Sequence, residues 1–196
     1  YESDRNRLCV YELATGKKNY VSEKFDSNVE GFVWNKDNKS LTFIGVWHGT
    51  LNLYQANFKG EVKQITNEWA DYGSIALANN GNKLLATKAS MSHPTDIYIV
   101  TPGKNAKSTK VEQITRENDH ILSQLNMGKC EQRWVKTTDG KQMLVWIMLP
   151  SNFDANKKYP TLLFCEGGPQ SPVSQFWSYR WNIQIMAANG YVIVLP

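Results

Sequence analysis

"VEGFVWNKDNKSLTFIG" (Val29–Gly45) and "YGSIALANNGNKLLATK" (Tyr72–Lys88) lie 43 positions apart and align without a gap. The alignment pairs Phe32 with Ile75, Trp34 with Leu77, Asn38 with Gly81 and Leu41 with Leu84. Each copy alternates apolar and polar residues, breaks at a cluster of turn formers, and alternates again, which is the pattern of two strands joined by a tight turn. The breaks, Lys36-Asp37-Asn38-Lys39 and Asn79-Asn80-Gly81-Asn82, use residues that tolerate positive φ and can hydrogen-bond their own backbone.

A second hairpin follows each copy: "TLNLYQANFKGEVKQIT" (Thr50–Thr66) and "TDIYIVTPGKNAKSTKVEQIT" (Thr95–Thr115) both close on Gln-Ile-Thr. An earlier, incomplete copy, "RLCVYELATGKKNYVSE" (Arg7–Glu23), supplies the third and fourth strands, with Tyr11, Tyr54 and Tyr98 placed in register. Four short strands in a unit of about 40 to 45 residues make one blade of a β-propeller. A meandering antiparallel sandwich would also give regular short strands; the shared register of three copies favours the propeller. Two to three blades are expected, fewer than the four a closed ring needs.

Beyond residue 121 the repeat stops. Cys130–Val135 and Gln142–Leu149 read as strands around Thr138-Asp139-Gly140-Lys141, where Asp-Gly signals a hairpin. A polar loop leads to a third strand, Thr161–Cys165, and then to Gly167-Gly168-Pro169. Phe176–Asn189 reads as a helix with Ile183, Met186 and Ala187 on one side and Gly190 as its stop. Tyr191–Leu195 is an all-apolar strand of the kind found in sheets covered on both faces. The expected fold class is mainly β: a partial β-propeller followed by the N-terminal portion of an α/β-hydrolase domain.

Bulk properties exclude several function classes. The 196 residues are 41% apolar with 20% charged and a net charge of +4. The lysines are scattered in pairs and form no stripe interleaved with aromatics, so nucleic acid is not an expected partner. The apolar runs are too short to cross a bilayer, so no membrane partner is expected either. Cys9, Cys130 and Cys165 are odd in number and widely spaced, which argues against a zinc site or a disulfide framework and for buried apolar packing. No cofactor and no metal site is read from the sequence. His48, His93 and His120 lie in or beside the repeats and read as surface or loop residues, and Asp119 has no partner that spacing identifies.

By itself Gly167-Gly168-Pro169 reads as a bare strand-to-loop turn; the other reading is a site for acyl-transfer chemistry. Acyl transfer builds negative charge on a carbonyl oxygen, and N–H donors must point at it with no side chain in between. Glycine permits that approach, and proline fixes the exit. The segment from Asp139 to Pro196, with the repeats before it, resembles the prolyl oligopeptidase family of serine peptidases, in particular its dipeptidyl and acylaminoacyl peptidase branches; the matched repeat pattern is Trp34, Asp37, Lys39, Leu41 and Phe43.

That resemblance implies blades over residues 1–121, a linker over 122–128 and the opening of the peptidase domain over 129–196. It implies Gly168 as the likelier backbone donor of an oxyanion hole, with Gly167 beside it, and a peptide substrate. Relatives carry Tyr or His where this chain has Glu166; an ionised carboxylate would repel the oxyanion, so Glu166 is expected to turn away and pair with a cation such as Arg180. Trp177, Tyr179, Arg180 and Trp181 read either as a wall near the hole or as aromatics packed on the sheet.

No G-x-S-x-G occurs in the sequence, and the Ser, Asp and His of this fold follow in later chain order. The chain alone is therefore expected to be inactive, a fragment of a serine peptidase. The competing expectation is a TolB-like binding propeller with a noncatalytic appendage. A periplasmic or secreted location is implied by the resemblance, and self-association through exposed sheet edges is expected of the fragment.

Overall fold

The computed structural model describes residues 4–78, 81–167 and 171–196. Among them the strands gather into three sheets. The first is a hairpin of β1 (Cys9–Glu12) and β2 (Lys17–Tyr20). The second holds two four-stranded antiparallel meanders: β3 (Val29–Trp34), β4 (Ser40–Trp47), β5 (Thr50–Asn57) and β6 (Val62–Gln64), then β7 (Asp71–Leu77), β8 (Leu84–Ser90), β9 (His93–Thr101) and β10 (Lys110–Gln113). One parallel bridge, Leu51 to Asp71, joins the meanders.

The expected turns form where the sequence put them. Asp37 Oδ1 accepts from the amides of Lys39 (2.8 Å) and Ser40 (3.0 Å), while Asn38 takes φ 52°. These bonds, led by the Lys39 amide, hold the Asp37 carboxyl below its ordinary value. In the second copy Asn79 and Asn80 lie outside the described residues; Gly81 takes φ 68° and donates to Ala78 O at 2.7 Å.

A hydroxyl explains the recurrent Gln-Ile-Thr. Thr66 Oγ1 accepts from the Leu53 amide at 2.9 Å while the Ile65 amide donates back to Leu53 O at 2.8 Å. Thr115 and Ile114 repeat this on Ile97, both bonds at 2.8 Å. In the partial copy Ser22 Oγ accepts from Leu8 N at 2.8 Å and Val21 donates to Leu8 O at 3.0 Å. The residues that close each fourth strand are thus clamped onto the third-strand chain by one hydroxyl.

The clamp also corrects a register. Cys9 faces Tyr20 where Tyr54 faces Gln64 and Tyr98 faces Gln113. Cys9, not Tyr11, is therefore the counterpart of Tyr54 and Tyr98. A two-residue slip keeps the same face outward, which is why the alternating pattern alone did not separate the two alignments.

The third sheet runs in the order β11 (Lys129–Lys136), β12 (Gln142–Leu149), β14 (Val192–Leu195), β13 (Thr161–Leu163). β14 pairs antiparallel with β12 and parallel with β13, and the crossover from β13 to β14 carries helix α2 (Ile183–Ala188). The short helix α1 (Asp119–Leu122) precedes β11. The helix expected from Phe176 begins only at Ile183: Ser178 Oγ accepts the amides of Arg180 and Trp181 in a local turn, and Asn182 caps the helix by accepting from Ile185 N at 3.2 Å. Gly190 ends it at φ 84°, as expected. Ile183 and Ala187 are buried with Trp146, Met148, Ile193 and Leu195, while Val145, Ile147 and Leu149 are buried on the other face.

The repeats and the third sheet are packed together. Met91, from the turn between β8 and β9, lies within the core around Trp146. The β4–β5 turn is a two-residue loop, His48 (φ 50°) and Gly49 (φ 65°), the left-handed pair that a tight hairpin demands. Gly49 is pressed so close to the third sheet that a Cβ there would stand 2.6 Å from Trp146 Nε1. Trp69 meets Trp146 edge-on, with centroids 5.2 Å apart and planes at 75°.

Candidate active site

β13 ends at Leu163, two residues earlier than its apolar run suggests. Phe164 still donates to Val194 O at 2.8 Å, while Cys165 and Glu166 leave the sheet and are exposed. Gly167 forms a bend at the mouth of an open hollow of about 550 Å³, lined also by Phe164, Glu166, Ser174, Phe176 and Trp181. No described atom lies within 4 Å of a Cβ built on Gly167, and its φ is not in the left-handed region. Neither packing nor backbone strain requires glycine there. Gly168 and Pro169 lie outside the described residues.

The chain past the turn is tied to the repeats by Asp71, the first residue of β7. Its Oδ2 accepts from Ser174 Oγ at 2.6 Å, and its Oδ1 accepts from the amides of Gln175 (3.1 Å) and Leu51 (3.2 Å). Burial pushes the Asp71 carboxyl up to about 6, against the opposing pull of these three donors. Val173 and Gln175 are buried beside it, and Gln175 Nε2 reaches Cys130 Sγ at 3.5 Å. Sequence reasoning missed Asp71, because Ser174 and Gln175 lie about a hundred residues downstream and Leu51 lies in the preceding repeat.

Other side chains depart from expectation. The Glu166–Arg180 ion pair is not formed; Arg180 lies over the Trp181 ring at 5.3 Å instead, and Glu166 opens to solvent at the rim. Trp181 and Phe176 line the hollow, whereas Tyr179 is exposed and packs edge-on to Trp177. Of the three cysteines only Cys130 is packed in a core; Cys9 and Cys165 are exposed. Burial raises the Cys130 thiol.

Asp119 does have partners. It pairs with Arg116 at 3.0 Å and faces His93 Nε2 at 3.7 Å, while His93 Nδ1 lies 2.8 Å from Pro94 O and 3.9 Å from Asp96. The His93, Asp96 and Asp119 ligand atoms lie within 4.8 Å of one another. Asp96 also accepts from Gln113 Nε2 at 3.1 Å and from Thr115 Oγ1, which ties β9 to β10 and the residues after it.

No family model matches the chain. It is 44% identical over 197 residues to dipeptidyl-peptidase 5 of Porphyromonas gingivalis, covering all of this chain and 28% of that protein. It is 46% identical over 158 residues to dipeptidyl-peptidase 5 of Porphyromonas endodontalis, over 80% of this chain and 22% of that one. The acylaminoacyl peptidase of Pyrococcus horikoshii superposes with a TM-score of 0.78 over 98% of this chain and 28% of its own, at 22% identity. Over its full length the chain is similar in sequence to a dipeptidyl-peptidase 5 and in fold to an acylaminoacyl peptidase. It spans about a quarter of the length of the relatives it matches. The two meanders and the hairpin before them are part of a β-propeller, and the third sheet is the N-terminal portion of an α/β-hydrolase domain. No helix among the described residues is long and apolar enough to cross a membrane.

Proposed function

We propose that this chain is the part of a serine peptidase in which the last blades of the propeller meet the opening of the catalytic domain, and that the whole protein removes dipeptides from short peptides by acyl transfer. The observation that carries this reading is the 44% identity to a dipeptidyl-peptidase 5 across the full chain. Residues 1–121 form the blade region, 122–128 the connection and 129–196 the start of the peptidase domain. The amide of Gly168, with that of Gly167, serves the oxyanion hole. The open space around Gly167, in a backbone that does not itself demand glycine, fits a residue kept bare for something arriving from outside the chain.

The nucleophilic serine, its histidine and its aspartate would come from sequence beyond this segment, since no G-x-S-x-G is present here. Donors without a nucleophile supply only residual catalysis, so the 196-residue polypeptide alone is inactive in this reading. The bacterial relatives are in keeping with a protein exported to the periplasm or beyond.

The test is the complete parent protein with dipeptidyl anilides and a fluorophosphonate probe. The proposal expects one labelled serine, release of dipeptides, and neither for the 196-residue polypeptide. It also expects Gly168→Pro, which deletes one donor, to lower kcat on the order of 100- to 1,000-fold. A parent protein that takes no label and turns over no peptide would refute it.

A further inference from the structure

His93 and Asp96 lie at the start of β9, and Asp119 is the first residue of α1. One ligand atom from each of the three lies within 4.8 Å of the others. The His93 tautomer follows from its neighbour. Nδ1 is 2.8 Å from the Pro94 carbonyl oxygen, which can only accept, so Nδ1 carries the hydrogen and Nε2 of the neutral ring presents a lone pair. Nε2 stands 3.7 Å from Asp119 Oδ1, itself an acceptor, too far for a direct hydrogen bond. That separation is near the roughly 3.4 Å expected of two ligands that share one tetrahedral ion at about 2.1 Å.

The carboxylates suit the same role. The Asp96 side chain is 1% exposed, and its two oxygens accept one neutral donor each, Gln113 Nε2 at 3.1 Å and Thr115 Oγ1. Each oxygen therefore keeps a lone pair, and a buried carboxylate gains most from a cation. Asp119 gives Oδ2 to Arg116 at 3.0 Å and leaves Oδ1 on the His93 side. Outer bonds of this kind, from imidazole N–H to a carbonyl and from donors to a carboxylate, orient the ligands of metal sites. His93 and Asp119 are partly exposed, which gives an ion a way in.

We propose that His93 Nε2, Asp119 Oδ1 and a carboxylate oxygen of Asp96 bind a divalent cation of the zinc class, with water as the fourth ligand, and that the ion pins α1 to β9. One imidazole nitrogen with two carboxylate oxygens suits zinc better than calcium or magnesium, which take six or more oxygens. None of the four residues of α1 is buried, so a bond through Asp119 would do for this short helix what packing does not. The site stands apart from the peptidase reading and does not rest on it.

The experiment strips the full-length parent with a chelator, titrates it with zinc chloride by calorimetry, counts bound zinc by atomic emission, and repeats this for His93→Ala and Asp119→Asn. The parent should bind one equivalent more than His93→Ala, with a Kd of about 1 μM or below, and Asp119→Asn should weaken that site on the order of 10- to 100-fold. Saturating zinc should raise the melting temperature of the parent and leave that of His93→Ala unchanged. Equal stoichiometry in parent and His93→Ala overturns the proposal. So does a parent that takes up no zinc, which would leave His93 and Asp119 as a long ion pair only. If His93→Ala does not fold, Asp119→Asn decides: parental zinc affinity there overturns the proposal. Turnover of a dipeptidyl anilide is read separately, and its failure would remove the peptidase reading without touching this site.

Discussion

At Asp71 the direction of a pH effect follows from burial. The folded carboxyl titrates at about 6, against an ordinary value of 3.8, so the native state binds its proton more tightly than the unfolded chain does. Protonation therefore favours the fold. The stability that this one group contributes is fully present below about pH 3.8, is lost as pH rises through about 6, and is constant above that, a change of at most about 3 kcal/mol. Urea midpoints of the parent protein between pH 4 and 8 check this, and Asp71→Asn should flatten this part of the profile. Gly49 offers a second test at the same scale. Gly49→Ala forces a left-handed alanine into a site where its Cβ meets the Trp146 indole at 2.6 Å, which should cost about 2 to 4 kcal/mol. Gly140 has the larger φ, 84°, but open space around it, so Gly140→Ala should cost only the backbone term, about 1 kcal/mol. Denaturation of both variants separates collision from strain.

At the scale of elements, the hydroxyl clamp is the unit that recurs. Thr66 is buried and serves both Leu53 N and Asn52 Oδ1, the latter at 2.8 Å. Thr66→Val keeps the shape but strands the buried Leu53 amide and leaves Asn52 Oδ1 with the Glu68 amide alone, a loss of about 1 to 3 kcal/mol. Thr115 makes the same bonds at a more open site, so Thr115→Val should cost less, and a reversed order in thermal melts would show that the clamp is not what closes each blade. Strands were legible in the sequence because alternation survives any neighbour: β4, β5, β8, β9 and β12 lie where the pattern put them. The clamp was visible only as a repeated Gln-Ile-Thr, and its Ser22 version was hidden by a change of residue. The late start of α2 was not legible, since Trp177 to Trp181 are compatible with a helix and it is a local Ser178 turn that prevents one. Asp71 was illegible for a different reason. A polar residue opening a strand is commonplace, and nothing local announces a partner so far along the chain.

At the scale of the whole molecule, edges matter. β3 and β13 are outermost in their sheets, and Leu163 on β13 is 64% exposed, with Phe32 and Trp34 exposed on β3. Outermost strands with exposed apolar side chains pair with other chains, so a polypeptide of these 196 residues alone should show a light-scattering mass that rises with concentration, and Leu163→Lys should reduce the rise; a constant monomer mass would count against it. Gly167-Gly168-Pro169 could be singled out as a candidate because the chemistry proposed for it is local, whereas the contacts of Asp71 with Ser174 and Gln175 are tertiary and had to be seen.

The edge-on contact of Trp69 with Trp146 places two indoles at 5.2 Å and 75° across the junction of the propeller blades and the hydrolase sheet. Two chromophores that near and that steeply inclined couple their transitions, so the pair constitutes a built-in optical gauge. A far-ultraviolet circular dichroism exciton couplet, abolished by Trp69→Phe, would report whether blades and sheet stay in contact.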